Sequence, residues 1–171
     1  MPRKRSVPPA EGSQQALDQA ANWVRFADTK ATVLTAALGV VMTMLITNTP
    51  HIIKAAASSE EAATRFGVAA FVVASAFLFT LGWLVHAIVP RRSAAGRTNR
   101  FSWPALASTD YEDLVSHNEA VPAHEDAWRH TLVLARVADE KFRACRVAAY
   151  GFAVFIVSAV VCVVAAALVN G

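Results

Sequence analysis

Three long apolar runs dominate the pattern of hydrophobic and polar positions, over residues 31–53, 66–89 and 147–169. Asn48, Pro50 and His51 interrupt the end of the first. His86 is the only ionisable side chain inside the second, and Tyr150 and Cys162 are the only ones in the third. At roughly 1.5 Å of rise per residue, each run predicts a helix able to cross a hydrocarbon core roughly 30 Å thick. Ahead of the first run, Ser13 is placed to cap a helix, with Ala16, Leu17, Ala20, Ala21 and Val24 recurring at helical spacing. No breaker intervenes, so one helix is expected over 13–47, ended by "NTPH" because Pro50 has no backbone N–H to donate. Residues 48–65 form a loop, within which Ser58 or Ser59 followed by Glu60 and Glu61 marks the approach to the second span over 66–89. Pro90 stops that span, with Arg91 and Arg92 at head-group level. Residues 90–122 hold a loop and a short helix capped by Thr109; from 123 the chain predicts one helix running to 169. Residues 1–12 read as a disordered basic tail. The fold class expected is all-α: an integral membrane protein with three transmembrane helices, the first and third extended as a parallel helical stalk.

Composition agrees. The chain has 171 residues, 55% hydrophobic and 17% charged, too apolar for an ordinary soluble domain of this size. Fourteen of the 16 Lys and Arg lie before Ala31 or between Pro90 and Arg146, and only Lys54 and Arg65 fall in the first loop. The positive-inside rule then predicts a multi-pass membrane protein with a cytoplasmic N-terminus and an external C-terminus. The basic N-terminus is followed by a polar stretch, so it does not read as a cleavable leader. The net charge of +3 reads as a membrane-facing signature, and no nucleic-acid polymer is expected as a partner. Cys145 and Cys162 lie about 25 Å apart along one predicted helix, too far to bridge. No metal spacing, paired carboxylates, nucleophile with base or phosphate-cradling loop occurs, so neither an enzyme nor a cofactor is expected.

Two strings stand at the approach to apolar runs: "RFADTKAT" (residues 25–32) and "RVADEKFR" (residues 136–143). An offset of 111 residues superposes Arg25, Ala27, Asp28 and Lys30 on Arg136, Ala138, Asp139 and Lys141. Each string lies on a heptad-like stripe, Leu17–Ala20–Val24–Ala27–Ala31 and Trp128–Thr131–Ala135–Ala138–Phe142–Cys145. Two readings follow. The charges anchor helix depth and rotation, Arg25 pairing with Asp28 and Lys30 snorkelling to the head groups. Or they line a polar pocket where Arg25, Lys30, Arg136 and Lys141 meet an anionic ligand, with Asp28 and Asp139 beside them. Two further stripes of small residues, Ala31–Thr35–Gly39–Thr43–Thr47 and Ala70–Ala74–Gly82–His86, suit close helix packing within one chain or between chains. In "RFSWPA", Phe101 and Trp103 beside Arg97 and Arg100 suit either the membrane interface or stacking on a base.

The string "NWVRFADTKATVLTAALGVVMTML" resembles the first helix of the Pycsar effector family, with its tryptophan, "ADxKA" core and following span. The order "IVPRR", "RFSWPALAS", "TDYEDLV" and "LARVADEKFRACRVA" fits the same family, so the resemblance covers about residues 15–169. "FSWPALAS" departs from the family's commoner wording. The resemblance implies an antiphage effector partnered with a nearby pyrimidine cyclase. Cyclic UMP or cyclic CMP made on infection would bind it, and membrane damage by a homo-oligomer in the lipid bilayer would cause abortive infection. The six residues of the two strings, Arg25, Asp28, Lys30, Arg136, Asp139 and Lys141, are then the candidate ligand contacts. The alternative is a structural or regulatory membrane bundle whose stalk binds a partner protein.

Overall fold

The computed structural model describes residues 9–89 and 98–170. The described residues form five helices and no strand: α1 (Ser13–Ala56), α2 (Glu60–Ile88), α3 (Trp103–Leu106), α4 (Tyr111–Ala120) and α5 (Ala123–Asn170). Three of them, α1, α2 and α5, are long and apolar enough to cross a membrane. At 44 and 48 residues, α1 and α5 have about twice the roughly 20 residues a crossing needs. The ends of the second span at Pro90, Arg91 and Arg92, most of the 1–12 tail and Arg97 lie outside the described residues.

The chain divides into two compact units, and α1 and α5 contribute to both. The first comprises Met1–Ala27 with Val89–Lys141; the second comprises Asp28–Ile88 with Phe142–Gly171. In the first unit, Ala20 and Ala27 of α1 and Ala127 and Ala138 of α5 are buried. Small side chains at these positions let two helices approach closely, and the heptad-like stripes turn inward as their spacing requires.

The second unit is the membrane part. Its core gathers Ala31 and Leu38 of α1, Ala76, Leu84 and Ala87 of α2, and Ala144, Ala148 and Phe155 of α5. Phe155 is fully buried, its ring 5.6 Å from that of Phe77. The outer surface is as apolar as the core: Val40, Phe71 and Leu168 are 70%, 73% and 79% exposed. In water such a surface drives association; in a bilayer it is the ordinary lipid-facing surface.

Four local expectations are corrected. Pro50 does not end α1, which runs on to Ala56, and α2 starts at Glu60, leaving a far shorter connection than 48–65. The segment past Pro50 has packing to gain: Ala55 is buried in a cluster with Phe66, Cys162 and Ala166, and Ile52 packs against it. A membrane helix tolerates the carbonyl that proline orphans when neighbours repack it. Ser59 does cap α2, its hydroxyl accepting the Ala62 N–H at 3.1 Å. Asp110 rather than Thr109 occupies the cap position of α4; the Thr109 hydroxyl instead donates back to the Ala105 carbonyl at 2.7 Å. At the start of α1, Gly12 takes a left-handed φ of +78°, and its carbonyl accepts the first helical bond, from Ala16 N–H. The Ser13 hydroxyl donates to the Ala10 carbonyl at 2.9 Å instead of capping.

Apart from Ala31, which is buried in the core, the small-residue stripes point outward. Thr35, Gly39, Thr43 and Thr47, and likewise Ala70, Ala74, Gly82 and His86, are exposed, and a Cβ added at Gly39 or Gly82 would meet nothing within 4 Å. The close approach occurs elsewhere: a Cβ on Gly151 of α5 would lie 2.7 Å from Thr80 Oγ1 and 2.8 Å from Phe79 Cδ1 of α2.

Candidate functional site

The six candidate residues divide between the units. Arg25 of α1 and Arg136, Asp139 and Lys141 of α5 belong to the first; Asp28 and Lys30 belong to the second. Arg25, Arg136, Asp139 and Lys30 are exposed and Asp28 is half-buried. Lys141 is only 6% exposed, an ammonium held close to the inward stripe. Arg25, Asp28, Lys30, Asp139 and Lys141 are each already engaged in interactions. The Lys30 ammonium sits 5.3 Å above the Phe142 ring, a cation–π arrangement that steadies it at the start of the membrane part. The Thr32 hydroxyl donates to the Asp28 backbone carbonyl at 3.0 Å.

The first unit also holds a polar cluster that sequence reasoning missed. Asp126, in the first turn of α5, is fully buried. Its Oδ2 accepts from Arg100 Nε at 3.0 Å and lies 2.7 Å from His117 Nε2 of α4. Arg100 also donates through Nη2 to the Val121 carbonyl at 2.6 Å, and Asn99 Nδ2 donates to the Asp126 carbonyl at 3.0 Å. Asn99 in turn accepts the Phe101 N–H at 2.9 Å, which fixes the approach to α3. One carboxylate therefore ties the segment after the second span, α4 and the start of α5 into a single clasp. Its Oδ1 is buried with no hydrogen-bond partner, so the cluster depends on the two contacts at Oδ2. The nearest sequence signal was the acidic first turn of α5, which also contains Glu125. Helix-dipole reasoning covers both residues and cannot say which one is buried.

Two further contacts bear on the same unit. Trp128 Nε1 donates to the Pro9 carbonyl at 3.0 Å, holding the chain ahead of α1 against α5. Burial lowers the pKa of His130 below its ordinary value, so the neutral ring is favoured there. Trp103 of α3 and Tyr111 of α4 stand largely exposed.

Among the described residues no three His, Cys, Asp or Glu side chains gather where they could hold a metal. The arrangement offers charge pairing, hydrogen bonding and exposed aromatic surface, which are the means of binding. No curated protein and no solved structure matches the chain. The model of the Pycsar effector protein domain (PycTM) matches residues 13–169, from the first residue of α1 to the last turn of α5. Its reach takes in the paired helices, the membrane part and the clasp together, and the chain belongs to the Pycsar effector family.

Proposed function

We propose that this Pycsar effector senses a cyclic pyrimidine nucleotide, cyclic UMP or cyclic CMP, made by a partner cyclase on infection, and then impairs the cell membrane, causing abortive infection. The observation that carries the reading is the family match spanning a chain whose three apolar helices fit a bilayer. It acts by binding and assembly, with no catalytic step of its own. The first unit lies in the cytoplasm of a bacterial cell and the spans lie in the inner membrane, the C-terminus outside, in keeping with the distribution of Lys and Arg. Arg25, Arg136 and Lys141 are the ligand contacts this unit offers to a cyclic phosphate, with Asp139 beside them. The existing partners of Arg25 and Lys141 are what the ligand displaces, so binding changes how α1 and α5 meet. The outward stripes of α1 and α2 then serve the association of several chains.

The test is to purify the protein in detergent and titrate cyclic UMP, cyclic CMP, cyclic AMP and cyclic GMP while following thermal stability and particle size. Selective stabilisation by one pyrimidine, with an increase in size, is the expected result. Arg136→Ala with Lys141→Ala should abolish the response and phage protection while leaving membrane insertion intact; protection by that double variant would remove these residues from the site. A second reading, a regulatory bundle that docks a partner protein, draws on the exposed Trp103 and Tyr111. A neighbouring nucleotide-cyclase gene separates the two cheaply, since only the effector reading requires one.

A further inference from the structure

Where the start of α2 meets the last turns of α5, a cavity of about 440 Å³ opens on the surface of the membrane part. Its walls differ in kind. Phe66, Cys162, Ala165 and Val169 form an apolar wall, and Ser59, Glu61 and Arg65 form a polar rim. The rim stands where the polar start of α2 gives way to the apolar run beginning at Phe66. That is head-group level for a helix crossing a bilayer, and the apolar wall continues towards acyl-chain depth.

The charges of the rim do little for the fold. Glu61 and Arg65 pair across one helical turn through Oε1 and Nη2, with their side chains 75% and 76% exposed. Exposed pairs of this kind contribute little. The pair uses one of the five N–H donors of the guanidinium and one of the two carboxylate oxygens. Both side chains line the cavity, and the Ser59 hydroxyl, which accepts from Ala62 N–H, keeps its own proton to donate.

We propose that this cavity is a phospholipid site selective for a head group that joins a phosphate to a primary ammonium, as in phosphatidylethanolamine. Arg65 takes the phosphate oxygens in its fork, and Ser59 donates to the same phosphate. Glu61 takes the ammonium. The upper part of one acyl chain lies along Phe66, Cys162 and Val169. Charge complementarity chooses the lipid. An anionic lipid without an amine would satisfy Arg65 and set its phosphate against Glu61. A choline head carries the positive charge without an N–H for Glu61 to accept. The proposal is independent of the nucleotide reading, because it uses neither the first unit nor any ligand contact assigned there.

The test is native mass spectrometry of the delipidated full chain in detergent, titrated with dioleoyl phosphatidylethanolamine, phosphatidylcholine or phosphatidylglycerol at matched concentrations. Phosphatidylethanolamine should bind about tenfold more tightly than phosphatidylglycerol, the size of effect one charge-assisted hydrogen bond confers. Glu61→Gln should erase that preference while total lipid binding persists. Arg65→Gln should weaken all three lipids. Glycerophosphoethanolamine, which has the head group without the chains, should bind far more weakly if the apolar wall contributes. Both substituted side chains are exposed, and unchanged helical circular dichroism would confirm that the variants fold. Equal or tighter binding of phosphatidylglycerol, or a lipid preference unchanged by Glu61→Gln, would overturn the proposal.

Discussion

Replacing Gly151 by Ala adds one methyl group where α5 lies tightly against Phe79 and Thr80 of α2. Its Cβ would stand 2.7 Å from Thr80 Oγ1, whereas ordinary contact begins near 3.4 Å, a shortfall of about 0.7 Å. The two neighbours differ in what they can yield. Phe79 is half-exposed and its ring can swing towards lipid. Thr80 is fully buried, its hydroxyl donates to the Ala76 carbonyl at 2.7 Å, and a β-branched side chain in a helix has little freedom at χ1. The strain therefore reaches the backbone and moves α2 from α5 beside Leu84 and Phe155, which are almost wholly buried. Overpacking of this kind costs about 1–3 kcal/mol. Gly39→Ala and Gly82→Ala meet nothing within 4 Å, so they should be neutral or stabilising by up to about 1 kcal/mol through helix propensity alone. The sign thus differs among three identical substitutions. Thermal unfolding in one detergent, followed by circular dichroism, should place Gly151→Ala below the parent and the other two at or above it. Thr80→Ala, which removes the crowding oxygen, should recover part of the loss in the double variant. A Gly151→Ala protein that melts with or above the parent would refute the reasoning.

Two further outcomes follow from the first unit. Asp126→Asn keeps the shape of the clasp and removes its charge. Arg100 retains the Val121 carbonyl and some exposure, so the loss should be about 2 kcal/mol, below the 3–5 typical of a broken buried pair. Read as tryptic cleavage after Arg100, that corresponds to roughly thirtyfold faster cutting when cleavage tracks opening. His130 has a folded pKa below its ordinary 6.5, so the unfolded state binds more protons in the window between the two values. Its contribution is therefore complete above 6.5 and is lost as the pH falls through that window to the lowered value; pH-dependent melts of His130→Gln should show a shallower loss than the parent on acidification.

What the sequence made legible was whatever periodicity and run length determine. The three spans, the unbroken α5 and the inward stripes through Ala27 and Ala138 all follow from spacing that one helix can express on its own. Pro50 misled because a local rule was outweighed by distant packing: Ala55 finds Phe66, Cys162 and Ala166 past the proline. The outward stripes through Gly39 and Gly82 show the same limit, since spacing defines a face without saying what it faces. The clasp was hidden for another reason. Arg100, His117 and Asp126 are joined across 26 and 9 residues of chain, and each sits in a polar segment where an ordinary solvated residue is the natural expectation. The candidate strings were correctly placed on the two helices that pack together, but sequence could not show that Lys141 is buried while Arg25 and Arg136 are exposed.

The threonines of α1 have a consequence for the proposed association of several chains. Thr35, Thr43, Thr47 and Thr49 each donate their hydroxyl to the carbonyl one turn back, at 2.9 to 3.0 Å. A lone chain in lipid thus leaves no hydroxyl proton wanting. A hydroxyl that turns instead to a neighbouring helix exchanges one hydrogen bond for another, because the released carbonyl keeps its backbone N–H. The count of hydrogen bonds is the same before and after, so these groups set no large enthalpy against either state. Such a surface is neither sticky nor inert: it leaves the decision to assemble to shape and to whatever changes at the other end of the helix.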